Sequence, residues 1–241
     1  MPKLYAISDL HLSLGTNKPM HVFGSRWLNH AEKLEKRWRS LVGEEDTVVI
    51  PGDISWAMSL EGAEADFRFL QSLPGKKLIG KGNHDFWWTS ASKLRRTFDS
   101  WGVTSVKLLH NNAYRVGDTV ICGSRGWFVE EKLQNTTEPV DYEKLVSREC
   151  ARIDLSLREG EKLAEGTAEI LLFLHFPPVF GDFTCAPILD VLEQHGVKRC
   201  FFGHIHGNYT VPKVSEFRSI AFTMISADYL DFYPEKIKNS A

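Results

Sequence analysis

The segment Lys77-Leu78-Ile79-Gly80-Lys81-Gly82-Asn83-His84-Asp85 joins a short apolar run to four residues that carry chemistry, and Phe86-Trp87-Trp88 follows it. Glycine at 82 lets the backbone turn sharply or approach a ligand closely. Asparagine offers a neutral oxygen to a hard cation. Histidine passes a proton near neutral pH, and an aspartate can hold its other ring nitrogen. Read alone, Gly82-Asn83-His84-Asp85 is equally an ordinary turn, because Gly, Asn and Asp are turn residues. What lies on either side decides between the two.

Upstream, residues 4–8 read as a continuous apolar strand ending at Asp9-Leu10-His11, followed by a polar loop over 13–25. A strand buried on both faces has this unbroken apolar character. Trp27, Ala31, Leu34, Trp38 and Leu41 recur at helical spacing and predict an amphipathic helix closed near Gly43, its two tryptophans packing it on the sheet in preference to walling a substrate. Residues 47–50 form a second strand ending at Pro51-Gly52-Asp53, and Leu60, Ala63, Phe67 and Leu70 mark a second helix stopped by Pro74-Gly75. Residues 77–79 are the third strand. Strand, helix, strand, helix, strand argues for a parallel α/β unit with right-handed crossovers, whose ligands gather at the carboxyl ends of the strands.

Downstream, residues 92–100 predict a helix. Residues 103–109 and 114–122 read as antiparallel strands about Asn111-Asn112, with a further turn at Gly117-Asp118. Arg125, between Gly123 and Gly126, either presents its guanidinium to a phosphate or caps carbonyls. Residues 129–139 read as loop and 141–163 as a long helix capped by Asp141, so 128–165 forms either a lid or a crossover. An apolar strand over 170–174 ends at His175. A helix spans 187–195, a strand over 199–202 ends at Gly203-His204-Ile205-His206-Gly207, and 219–226 reads as a last strand.

The bulk properties set the frame. The 241 residues are 43% hydrophobic and 25% charged, with a formal net charge of -2, which suits a globular domain able to bury a substantial core. That balance supplies no basic footprint for wholesale nucleic-acid binding. Cys122, Cys150, Cys185 and Cys200 form no C-x-x-C pair and read as thiols of a reducing compartment. The N-terminus shows no signal-peptide pattern, and no apolar run reaches the roughly 20 residues of a membrane span. A soluble, cytoplasmic, single-domain protein over 1–241 is the expectation.

Five of the nine histidines stand at predicted strand ends beside Asp or Asn. The set is Asp9, His11, Asp53, Asn83, His84, His175, His204 and His206. His21, His30, His110 and His195 read as surface or satisfied side chains, His195 complementing a helix dipole. If extended, Asp9-x-His11 and His204-x-His206 each point both side chains to one side. Mixed nitrogen and oxygen donors suit Mn, Fe or Zn. Seven candidate ligands exceed what one catalytic ion needs, and a bridging carboxylate accounts for the excess.

Asp9-x-His11, Gly52-Asp53, Gly82-Asn83-His84-Asp85, an isolated His175 and Gly203-His204-x-His206-Gly207, in this order, resemble the signature of the calcineurin-like metallophosphoesterases. The blocks span residues 9 to 207. The resemblance implies a four-layer α/β/β/α sandwich with two mixed β-sheets and a dinuclear metal site. It implies that Asp9, His11 and His206 hold one metal, that Asn83, His175 and His204 hold the other, and that Asp53 bridges them. It makes His84 the acid–base residue outside the metals and Asp85 its orienting partner. The Asp-Arg-Gly element of the family's serine/threonine protein phosphatases is absent, since Ile54-Ser55-Trp56 follows Asp53. The implied chemistry is attack of a metal-bridging hydroxide on a phosphate ester, a phosphodiester or nucleotide-like small molecule. Arg125 is a further candidate for phosphate binding, and Trp87, Trp88 and Trp127 are candidates either to stack on a base or to pack the core. The competing readings are a catalytically silent metal-binding scaffold and a nuclease.

Overall fold

A computed structural model describes residues 2–127 and 141–238. The first sheet holds β1 (Leu4–Ala6), β2 (Thr47–Ile50), β3 (Lys76–Ile79) and β4 (Val106–Leu108), all parallel, with β13 (Glu235–Ile237) antiparallel beside β1. The second holds β6 (Thr119–Ser124), β7 (Glu169–Leu174), β10 (Arg199–Phe202) and β12 (Ile220–Met224), again parallel. Its edges are the antiparallel strands β5 (Ala113–Val116) and β11 (Val214–Phe217). A two-stranded ribbon pairs β8 (Val179–Phe180) with β9 (Phe183–Thr184). The α-helices are α1 (His30–Leu41), α2 (Glu64–Ser72), α3 (Ala91–Ser100), α4 (Tyr142–Ala164) and α5 (Ala186–Gln194).

Alternation along the strands sorts the buried residues into three cores. Val48 and Ile50 of β2 pack with Leu34, Trp38, Phe67 and Leu94 on one face of the first sheet. Leu172 and Leu174 of β7 pack with Ile153, Leu157, Ile188 and Leu192 on one face of the second. Val49, Leu78, Leu171, Phe173 and Phe201 share the third core, so it joins residues of both sheets. Successive strand residues feed opposite faces, which is why strands covered on both sides read as continuous apolar runs. This is the mixed α/β architecture of two large sheets and covering helices that the sequence implied. At the carboxyl end of β1 the sheets join, where Ser8 N donates to Ile225 O at 2.8 Å and Ala227 N to Ser8 O at 2.8 Å.

Three sequence expectations change. The strands flanking Asn111-Asn112 do not pair, since β4 lies parallel to β3 in one sheet while β5 pairs with β6 in the other. Asn112 explains this. Its side chain accepts from His110 N at 2.7 Å and donates to Leu108 O at 3.2 Å, closing off β4 rather than tightening a hairpin. Leu41, expected inside, is exposed, and Val42 takes its place in the core. The exposed β11 and the three-residue β13 gave no apolar signal.

Residues 128–140 of the candidate lid lie outside the described residues. Its helical part, α4, starts with the Asp141 carboxylate accepting from Lys144 N at 3.0 Å and packs on β5, β6, β7 and α5. Inside α4, Ser156 Oγ accepts from Gly123 N at 2.9 Å and donates to Asn112 O at 2.7 Å, fixing the helix on the sheet. Cys122, Cys150, Cys185 and Cys200 are free thiols. Among the described residues no helix is long and apolar enough to cross a membrane.

His195, just past α5, ties that helix to α4. Its Nδ1 lies 2.7 Å from Glu161 Oε1 and its Nε2 2.9 Å from Asp154 Oδ1. Burial opposes protonation, but the bonds to Glu161 and Asp154 outweigh it and raise the imidazole above its usual range. A group with a raised folded-state pKa adds stability that is complete below the unfolded pKa and fades as pH climbs through the folded one. His195→Gln therefore lowers the melting temperature more at about pH 5.5 than at about pH 8.5, as thermal melts at the two pH values check.

Candidate active site

Each loop that leaves the carboxyl end of a central strand carries part of the site. Asp9 and His11 follow β1, Asp53 follows β2, Asn83 to Asp85 follow β3, His175 follows β7, and His204 and His206 follow β10. The Asp85 carboxylate holds two of these loops together. It accepts from the backbone N–H of Gly82 (2.8 Å), Asp53 (2.9 Å), Ile54 (2.9 Å) and Ser55 (3.4 Å), and from the Trp87 indole (3.0 Å). Gly82 is required at this junction, because a Cβ there would meet Asp53. The expected bond from Asp85 to the His84 imidazole is not what the structure holds. Asp85 is consumed by backbone donors, and the His84 ring packs against Trp56 at 4.3 Å between centroids.

Four of the expected ligands are themselves in left-handed backbone conformations: Asp9 (φ 60°), His11 (φ 47°), Asp53 (φ 51°) and His204 (φ 69°). The expectation of extended i, i+2 pairs is thus corrected. The side chains converge because the chain turns at these residues. Non-glycine residues held there cost on the order of 1–3 kcal/mol each and persist only where the surroundings impose them. Here Asp9 N donates to Gly52 O, His11 N to Asp53 O, and His204 N to both oxygens of Asp9.

Seven donors converge. His11 Nε2 faces His206 Nε2 at 3.3 Å. Asp53 Oδ2 lies 3.7 Å from His11 Nε2 and 3.6 Å from His175 Nε2, while its Oδ1 accepts from His84 N at 2.8 Å. Asn83 Oδ1 lies 2.7 Å from His175 Nε2 and 3.0 Å from His204 Nδ1. Asp9 Oδ1 is 3.7 Å from both His206 Nε2 and His175 Nδ1, so it stands near both ligand groups rather than one. Asp9, His11 and His206 form one set able to hold a metal, and Asp9, Asp53 and His175 another.

The donor set fits a cation. Nδ1 of His11 and of His175 are buried without a hydrogen-bond partner. Burial pushes Asp9 up to about 6, and burial with the neighbouring Asp85 and Asp9 raises Asp53 well above the carboxylate range. Burial holds His11 and His175 far below their usual value and His204 down to about 3, so these imidazoles are neutral. Buried carboxylates that repel one another beside neutral imidazoles are what a metal ion stabilises.

His84 lies outside both metal sets. Burial, then the charges of His206, Lys18 and Arg125, push it down to about 4. With His11, His206, Trp27, Trp56, Phe23 and Met20 it lines a cavity of about 380 Å³, and Lys18 sits 4.1 Å above the Trp56 ring. Trp27 was expected to pack a helix. It is buried, but edge-on to His11 and His206 as a wall of this cavity. Trp87 is core, whereas Trp88 and Trp127 line a second cavity with Arg125. A larger cavity among the described residues, about 1040 Å³ between α4 and α5, contains none of the candidate ligands.

The model of the calcineurin-like phosphoesterases matches residues 2–208. The chain belongs to that family. It is similar to the Gene 66 protein of Mycobacterium phage L5, 34% identical over 85 residues, which is 35% of this chain and spans only 41% of that protein's length. The solved structure of a phosphopantetheinyl hydrolase from Mycobacterium tuberculosis shares the fold, with a TM-score of 0.61 at 15% identity over 99% of this chain and 96% of that one.

One residue of this phosphoesterase site escaped the sequence reading and lies beyond the matched span. The buried Asp228 accepts from His206 Nδ1 at 2.8 Å, Gly207 N at 3.1 Å and Tyr209 Oη at 3.0 Å. Against the cost of burial, that contact and the charges of Asp9 and Asp228 raise His206. The bond also fixes the tautomer, leaving Nε2 free to ligate. The available signal was an aspartate just past the last predicted strand, as at Asp9 and Asp53. The buried His30, read as satisfied, has Nε2 3.2 Å from His11 O.

Two substitutions separate these roles. Asp228→Ala weakens Mn²⁺ binding by about 10–100-fold in calorimetric titration of metal-depleted protein. Asp85→Ala strands four buried backbone donors and costs about 3 kcal/mol or more in urea unfolding.

Proposed function

We propose that the chain is a dinuclear-metal phosphohydrolase, in a single domain over 1–241, acting on a small phosphodiester or nucleotide-like ester. The observation that carries this reading is the division of Asp53. One oxygen is held by His84 N, and the other stands between His11 Nε2 and His175 Nε2, where a carboxylate shared by two ions belongs. Asp9, His11 and His206 would hold one ion and Asn83, His175 and His204 the other. The mixed oxygen and nitrogen set suits Mn, Fe or Zn. When bound, such ions polarise phosphoryl oxygens and lower the pKa of water toward neutrality.

The chain's own residues supply the rest. His84, at the junction of ligand set and aromatic cavity, would face the leaving-group oxygen of an ester seated there, take up a proton as the bound anion offsets the neighbouring cations, and pass that proton to the oxygen as the P–O bond breaks. Trp56, Trp27 and Phe23 offer the faces on which a base or other planar group stacks. Arg125, whose charge is felt at Asp53 and Asp85, offers its guanidinium to a phosphate of the substrate. The near-neutral net charge favours a small ester over a nucleic-acid polymer. The fold neighbour adds phosphopantetheinyl esters to the substrates worth testing.

The test uses metal-depleted protein resupplied with Mn²⁺, Fe²⁺ or Zn²⁺. It is offered aryl phosphate monoesters, aryl phosphodiesters, nucleotides and a phosphopantetheinyl ester. Turnover of a diester or nucleotide that requires added metal is expected, and none with any ion overturns the reading. His84→Ala should lose about 10²–10⁴-fold in kcat on an alkyl ester and far less on a p-nitrophenyl ester, whose leaving group needs no proton.

A further inference from the structure

The second cavity, about 400 Å³, is lined by Lys81, Arg125, Arg148 and Arg152 with only one carboxylate, Glu149, among its described lining residues. Glu149 is already committed. It accepts from Ser124 Oγ (3.0 Å), Gly126 N (3.2 Å) and the Arg152 guanidinium (2.5 Å). That leaves Lys81, Arg125 and Arg148 without an ion-pair partner among the described residues. Arg125 is the most telling of the three. Its Nε is buried with no hydrogen-bond partner, and its guanidinium stands over Phe176 at 5.1 Å and Trp127 at 5.6 Å. A partly buried guanidinium whose Nε–H has no acceptor is costly unless an anion completes it.

The cavity adjoins the ligand set. Lys81 directly precedes Gly82-Asn83-His84, and the Arg125 carbonyl accepts from His175 N at 3.0 Å and Phe176 N at 2.9 Å, which fixes Arg125 beside the His175 ligand. The charge of Arg125 is felt at Asp53, Asp85, His84, His175 and His204. The aromatic cavity shares with the site His11, His84 and His206 instead.

We infer that this basic cavity receives a second phosphate carried by the substrate, so that the preferred substrates are small esters bearing two phosphates, one at the metals and one on Lys81, Arg125 and Arg148. The inference rests on the phosphohydrolase reading for the first phosphate, and binding tests it without turnover. Mn²⁺-loaded protein is titrated calorimetrically with adenosine 5′-monophosphate, ADP and adenosine 3′,5′-bisphosphate, and separately with inorganic phosphate. At least one of the two-phosphate ligands should bind about tenfold or more tightly than the monophosphate. That advantage should shrink to within about threefold in Arg125→Ala, Lys81→Ala and Arg148→Glu. Arg148 is exposed on α4, so its reversal tests the cavity even where a change at Arg125 impairs folding. Equal affinities for one and two phosphates overturn the inference, as does an advantage that survives all three substitutions. Free inorganic phosphate binding with the same sensitivity, but with no two-phosphate advantage, also overturns it and makes the occupant a separate anion. Absence of turnover with retained two-phosphate preference would instead count against the hydrolase reading alone.

Discussion

The site depends on one buried carboxylate that belongs to neither candidate metal set. Asp85 accepts from four backbone amides and an indole, and those amides belong to the loops after β2 and β3. Burial raises its pKa while the donors pull it down, so the charge is tolerable only because every donor is aimed at it. The consequence is geometric. With Gly82 pressed against Asp53, the next residues have little freedom. Asn83 must present its oxygen to His175 and His204, and His84 N must take one oxygen of Asp53. The placement of the Asp53 carboxylate, on which the proposed bridging role rests, is thus set by a residue outside both candidate metal sets.

The same economy explains the left-handed residues. Asp9, His11, Asp53 and His204 each carry a conformational cost, and the loops that impose it are hydrogen-bonded to one another rather than to solvent. Asp9 shows the reciprocity most clearly. Its amide is fixed by Gly52 O, while its carboxylate takes the amide of His204, so loops from both sheets constrain one another. A close approach at Gly203, where a Cβ would meet Asp9 and Ser8, lets the second sheet's loop come that near. Strain of this kind is affordable where several strand ends meet, and the Ser8–Ile225 junction is where the two sheets meet.

Much of this was legible because its signals are local. The parallel strands announce themselves as short apolar runs, each followed by Asp or His, and their helices by 3.6-residue spacing. What stayed hidden is what depends on partners. Residues 103–109 and 114–122 look alike as strands. Only the Asn112 side chain, bonding back to Leu108 and His110, sends them to different sheets. Asp228 looks like any acid until His206 is seen against it. Attention went to the tryptophans after the Gly82-Asn83-His84-Asp85 block, yet the wall of the site is built by Trp27, read chiefly as helix packing, and Trp56, three residues after Asp53.

Those walls give the site a direction. On the His11 and His206 side the lining is aromatic, with the cation Lys18 held over Trp56. On the His175 side it is cationic, with aromatic rings serving to hold Arg125 in place. His84 feels charge from both, since Lys18 and Arg125 each lower its pKa after burial does. A neutral imidazole between two cations binds a proton more readily once an anion lies against it, because the anion offsets the repulsion that keeps the ring neutral. In the proposed reaction, proton transfer at His84 would therefore be coupled to how the two sides are filled. An ester that neutralised the cationic side would prepare the histidine, while its planar group would exclude water from the aromatic side. Specificity and acid catalysis would then draw on the same charges.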